Sequence, residues 1–123
     1  MLNAKPILIV DDDSEILRVL EIFLKKLGCQ SDTSLTAEGA LVKARSNEYE
    51  AILLDIMLPD GDGVDVLKQI HKVSPEIPVI MITGVKDIQI ATECMRSGAV
   101  DYITKPFDME YLKTTVLSNI CKF

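Results

Sequence analysis

A chain of 123 residues, 48% hydrophobic and 26% charged, is long enough for one domain with a real core and lies outside the disordered class. A net charge of −6, with Lys25-Lys26 as the longest cationic run, argues against direct nucleic-acid binding by this domain. No segment approaches the ~18 apolar residues of a membrane span, and the N-terminus lacks a signal peptide's apolar core, so the expectation is a soluble, cytoplasmic chain with no membrane partner.

The first predicted strand, Pro6–Val10, is a continuous apolar run that closes in Asp11-Asp12-Asp13. A helix follows from about Ser14 to Leu27, its core stripe Ile16, Leu20, Phe23, Leu24 and Leu27 at a 3.6-residue period, with Gly28 as its stop. The second strand, Gln30–Ser34, is polar, and Thr36 is placed to N-cap the second helix. The third strand, Ala51–Leu54, is again wholly apolar and closes in a lone acid, Asp55. The Pro59–Gly63 loop leads into a third helix ending at Pro75, on which His71 reads as a surface residue rather than a phosphodonor. The fourth strand, Pro78–Ile82, ends in Thr83; Asp87 caps the fourth helix and Gly98 ends it. Ile88, Ala91 and Met95 form that helix's expected core stripe, which Ile90 and Cys94 broaden as extra core or as a partner surface. The fifth strand, Val100–Thr104, carries Asp101 and is followed by Lys105-Pro106, with Asp108 capping the last helix.

Strict alternation of strand and helix predicts an α/β, doubly wound (βα)5 three-layer sandwich with a parallel sheet covered on both faces. Strands one, three and four are apolar throughout and belong in the middle; the polar second and fifth strands belong at the edges. That gives the order 2-1-3-4-5 of flavodoxin-like folds, whose site lies beyond the strand C-terminal ends where the order reverses, between strands one and three. Those are the strands that end in aspartate.

Every unusual polar residue falls at such an end: Asp11 and Asp12, Asp55, Thr83, and Lys105. Crowded carboxylates repel one another and need a compensating cation; oxygen-only ligands suit a hard ion such as Mg²⁺. A carboxylate beside that ion can act as a nucleophile and form an acyl phosphate, with a lysine and a hydroxyl offsetting charge on the phosphoryl oxygens. Asp13 reads as a helix cap, and capping alone is the bland reading of the whole acidic run. Three cysteines, Cys29, Cys94 and Cys121, without CxxC spacing fit reduced thiols better than a disulfide framework, Cys121 being incidental. A single histidine leaves little for a cysteine/histidine zinc site.

Four pieces in order, Ile-Leu-Ile-Val-Asp11-Asp12-Asp13, Leu-Leu-Asp55-Ile-Met-Leu-Pro59-Asp-Gly-Asp-Gly63, Val-Ile-Met-Ile-Thr83-Gly84 and Gly98-Ala-Val-Asp-Tyr102-Ile-Thr-Lys105-Pro106-Phe107, resemble the receiver domains of two-component response regulators over the whole chain. The resemblance implies a single receiver domain over residues 1–123 that accepts a phosphoryl group on Asp55 from the phosphohistidine of a sensor histidine kinase or phosphotransfer protein. Asp11, Asp12, Asp55 and the backbone carbonyl of Met57 would hold Mg²⁺, Asp12 directly and Asp11 through water. Lys105 would contact the phosphoryl group, with its bond to Pro106 cis, and Thr83 and Tyr102 would form the switch pair. Phosphorylation would move the Thr83 hydroxyl toward the phosphoryl group, turn the Tyr102 ring inward and remodel the surface of helix four, strand five and helix five. That surface would act on an output domain or target protein, with homodimerisation on phosphorylation. Such a domain is not a metabolic enzyme; it catalyses only its own phosphorylation and autodephosphorylation.

Two residues past Asp55 and Thr83 stand Met57 and Val85, positions that in the family influence attack of water on the phosphoaspartate. Neither side chain can orient water by hydrogen bonding, so the expectation is slow autodephosphorylation. The start at Met1, with strand one close behind, suggests an N-terminal receiver, and the segment 91–108 looks most like receivers attached to transcription-activator modules. Two alternatives stand beside this. One is a Mg²⁺-dependent phosphatase of the haloacid dehalogenase type with Asp11 as nucleophile, though Asp11-Asp12-Asp13-Ser14 fits its DxDx(T/V) motif only loosely. The other is an interaction module with the fold but no phosphorylation, against which the full set Asp12, Asp55, Thr83 and Lys105 argues.

Overall fold

The structure, a computed structural model, describes residues 5–120; Met1 and Cys121 lie outside the described residues. The elements are β1 (Ile7–Val10), α1 (Ser14–Lys26), β2 (Ser31–Ser34), α2 (Ala37–Ser46), β3 (Ala51–Leu54), β4 (Met57–Leu58), β5 (Gly61–Asp62), α3 (Gly63–Val73), β6 (Val79–Thr83), α4 (Ile88–Arg96), β7 (Asp101–Thr104) and α5 (Met109–Ile120). The five-stranded sheet runs β2-β1-β3-β6-β7, every neighbouring pair parallel. This is the expected order, the fourth and fifth predicted strands being β6 and β7. The small antiparallel hairpin β4–β5, unread in the sequence, interrupts the count.

Burial explains the placement. All residues of β1, β3 and β6 are buried, whereas the first three residues of β2 and all but Ile103 of β7 are not. The sheet separates two cores. Leu8, Val10, Ile52, Leu54, Val79 and Met81 point toward α2, α3 and α4, and Ile7, Ile9, Leu53, Ile80 and Ile82 toward α1 and α5. Alternate side chains of each strand serve opposite cores, as the period of two demands.

Helix starts follow local capping chemistry. Asp13, Thr36, Asp62 and Asp87 each accept a hydrogen bond from a first-turn amide, and Asp108 accepts from Glu110 N. In α1 the buried positions are Leu17, Leu20, Phe23 and Leu24; Ile16 and Leu27 only flank that core, so the stripe lies one residue from where the periodicity set its first member.

Helix α4 departs further. Ile88, Ala91 and Met95 do not face the core: Ile88 is 80% exposed and Met95 is exposed, while Cys94 alone is fully buried, with Ile90 packed against it. The sequence holds two rival apolar stripes, and contacts with α3 choose between them. Cys94 joins the core that Val66, Leu67 and Ile70 of α3 line, while Glu93 pairs with Lys68 of α3 at the surface. His71 also differs from expectation, being half-buried with its imidazole lying over Gly98, where the missing side chain leaves it a seat.

Candidate functional site

The carboxylates meet because β1 and β3 are in register. Val10 pairs with Leu54, so Asp11 and Asp55 emerge side by side, Asp55 N donating to the Val10 carbonyl at 3.0 Å. Asp11 is 2% and Asp55 5% exposed, whereas Asp12 is turned to solvent. Carboxylate oxygens of Asp11, Asp12 and Asp55 all lie within 4.8 Å of one another.

From the far side of β6, Lys105 reaches across. Its Nζ donates to Asp11 Oδ2 at 2.6 Å and to Asp55 Oδ2 at 2.9 Å. Its own amide donates to the Thr83 carbonyl at 2.8 Å, and the Lys105–Pro106 bond is cis. Burial pushes the Asp11 carboxyl up, outweighing the bonds from Lys105 and the Asp13 amide that favour its charge. Burial alone would lower the Lys105 pKa, but the bonds to Asp11 and Asp55 prevail and raise it. One ammonium against three carboxylates leaves two uncompensated negative charges when all are ionised, equal in size and opposite in sign to the charge of one divalent cation.

Thr83, at the end of β6, is fully buried, its Oγ1 accepting from Val85 N at 3.3 Å. Tyr102 is half-buried, packs against the core and donates its hydroxyl to the Val85 carbonyl at 2.6 Å. Val85 joins the two residues, its amide serving one and its carbonyl the other. Met57 N donates to Asp55 Oδ1 at 3.3 Å, and its side chain is 68% exposed beside the carboxylates.

Two residues of the quoted loop matter more than their loop reading suggested. Gly63 lies so close to the Asp55 backbone that no side chain fits there. Asp60 accepts from Ala37 N at 2.7 Å and Glu38 N at 3.0 Å, tying the loop after Asp55 to the start of α2. A signal for the hairpin was present: Pro and Gly in Leu58-Pro59-Asp60-Gly61 stand where a four-residue turn favours them.

The family model described as "Response regulator receiver domain" matches residues 7–117. The chain belongs to the response regulator receiver domain family. Among curated relatives, the transcriptional regulatory protein ZraR of Klebsiella oxytoca is 34% identical over 110 residues, 89% of this chain and 25% of ZraR. The response regulator protein TodT of Pseudomonas putida is 33% identical over 110 residues, 89% of this chain and 48% of TodT. The receiver thus spans between a quarter and a half of these relatives' length. Among solved structures, a CheY-like receiver domain protein from Methanospirillum hungatei JF-1 superposes with a TM-score of 0.92 at 32% identity, covering 97% of this chain and 95% of that one. A two-component response regulator from Clostridium difficile gives 0.90 at 33% identity, over 96% and 97% of the two chains. The receiver domain is a signalling domain of two-component systems, not a metabolic enzyme, and nothing in these relatives supports a dehalogenase-type phosphatase. Among the described residues, no helix is long and apolar enough to cross a membrane.

Proposed function

We propose that residues 1–123 form a single receiver domain that accepts a phosphoryl group on Asp55 from a phosphohistidine of a sensor histidine kinase or phosphotransfer protein in the cytoplasm. The observation that carries this is the Lys105 ammonium bridging Asp11 and Asp55 beside Asp12. An Asp55 carboxylate oxygen attacks phosphorus, the phosphorus–nitrogen bond breaks, and its electron pair returns to the imidazole. Lys105, already bonded to Asp55, is placed to follow the charge onto the phosphoryl oxygens.

The all-oxygen donor set and its two unbalanced charges fit Mg²⁺, which Asp11, Asp12, Asp55 and the Met57 carbonyl would hold. When bound, the ion would neutralise charge on the carboxylates and phosphoryl oxygens. Thr83 then supplies a hydroxyl to the phosphoryl group, which draws it from the Val85 amide. Because Val85 also accepts from Tyr102, that movement reaches the face formed by α4, β7 and α5. This face acts on an output domain, a transcriptional one by analogy with the regulators this chain resembles, or on a second copy upon phosphorylation.

The test is intact mass after incubation with Mg²⁺ and acetyl phosphate, for wild type and Asp55→Asn. The expected result is a single phosphoryl adduct on wild type and none on the variant. An adduct retained in the variant, or no adduct on either, overturns the assignment.

A further inference from the structure

Loop 56–62 leaves the sheet after Asp55 and enters α3 at Gly63, and it carries the Met57 carbonyl. Its near end is fixed, since Gly63 N donates to the Ile56 carbonyl at 2.7 Å and Met57 N to Asp55 Oδ1 at 3.3 Å. Its far end is the tip of the β4–β5 hairpin, where Asp60 accepts one hydrogen bond on each carboxylate oxygen, from Ala37 N and from Glu38 N. These are the opening amides of α2, more than twenty residues away in sequence. Helix α2 does not lack a cap of its own, because Thr36 Oγ1 already takes Gly39 N at 3.0 Å. The clamp therefore holds the hairpin as much as the helix. Contact between the two is close: a Cβ on Gly61 would stand 3.1 Å from that of Ala37. The backbone bonds from Glu38 and Ala37 hold the Asp60 carboxyl below its ordinary range, so the clamp is charged at neutral pH.

We propose that Asp60 is a positioning residue for the divalent cation: by fastening the β4–β5 hairpin to the N-terminus of α2, it holds the Met57 carbonyl level with the Asp11, Asp12 and Asp55 carboxylates. The inference rests on the Mg²⁺ reading given above. Outer partners that orient a ligand govern metal affinity although they never touch the ion. Asp60 acts here on a backbone ligand rather than on a side chain.

The experiment titrates Mg²⁺ alone into wild type, Asp60→Ala, Asp60→Asn and Thr36→Ala, following the Met57 amide by NMR, with urea unfolding measured on each. Thr36→Ala weakens the same helix start without touching the hairpin. Asp60→Ala is expected to bind Mg²⁺ about tenfold more weakly than wild type, the low end for an outer partner, with Thr36→Ala within about twofold. Asp60→Asn, which keeps one acceptor oxygen, falls between them and serves if the alanine variant does not fold. Asp60 variants that lose stability as Thr36→Ala does yet bind Mg²⁺ as wild type overturn the clamp alone. Failure of wild type to bind Mg²⁺ overturns the cation reading and the clamp together.

Discussion

Gly63 sits against the backbone of Asp55 so tightly that a Cβ built on it would stand 2.1 Å from the Asp55 carbonyl oxygen and 2.6 Å from the Ile56 α-carbon. Both obstacles are backbone, with no rotamer to swing aside. Replacing glycine by alanine within a helix ordinarily gains up to about 1 kcal/mol. Here the sign reverses. Gly63→Ala is expected to lose about 3 kcal/mol or more in urea unfolding, and to displace the Asp55 backbone so that phosphorylation by acetyl phosphate slows with it.

Gly98 is confined for a different reason. Its φ of +111° is left-handed, and a Cβ there would stand 2.5 Å from His71 Nδ1. The two causes are separable, because the ring can be removed. Gly98→Ala is expected to cost roughly 2–3 kcal/mol in wild type and about 1 kcal/mol in a His71→Ala background, where backbone strain alone remains. Equal costs in both backgrounds would show that the ring yields freely.

Away from the site, Tyr49 donates its hydroxyl to Asp32 Oδ2 at 2.7 Å, and Lys43 Nζ lies 2.8 Å from Asp32 Oδ1. Burial, together with the Asp32 carboxylate, pushes the Tyr49 hydroxyl up to about 12 from 10.0. The folded state therefore holds that proton more tightly than the unfolded chain does. The stability this brings is fully present below pH 10 and is lost as pH rises toward 12. Tyr102 and Tyr111 shift the same way, so the readout is a difference. Tyr49→Phe should be less stable than wild type by roughly 1–2 kcal/mol at neutral pH, and the gap should close across that alkaline window. At the acid end, burial of Asp32 is outweighed by its bonds from Lys43 and Tyr49, which lower its pKa. Its contribution is present above the ordinary value of 3.8 and disappears as pH falls through the lower folded value.

Met57 is exposed beside the carboxylates and Val85 is half-buried behind Thr83, and neither offers a side-chain hydrogen bond to water. The phosphorylated state should be long-lived. Met57→Asn, which adds a group able to orient water, is expected to hasten decay of the adduct about tenfold by intact mass. Loss of phosphoryl from wild type within seconds would contradict this.

Sheet order and the meeting of Asp11, Asp55 and Lys105 were legible because each rests on a local signal: an apolar or polar strand, and a polar residue at its end. The rotation of α4 was not. Ile88-Ala91-Met95 and Ile90-Cys94 are both sound apolar stripes, and the core that takes up the second, with Leu54 and Leu67 among its members, is assembled from residues far off in sequence. Asp60 escaped notice for the same reason. An aspartate in a turn is common, and only the fold brings the Ala37 and Glu38 amides to it.

Helix α1 submerges Leu17, Leu20, Phe23 and Leu24, each side chain contributing about 1.5–3 kcal/mol, whereas α4 submerges one thiol. That disparity makes α4 the less firmly anchored of the two helices. On the switch reading proposed above, a rearrangement of charge at the strand ends worth a few kcal/mol is too little to lift a helix anchored like α1 but enough to re-seat one held as lightly as α4. On that reading, sensitivity lies in how little of itself α4 commits to the interior.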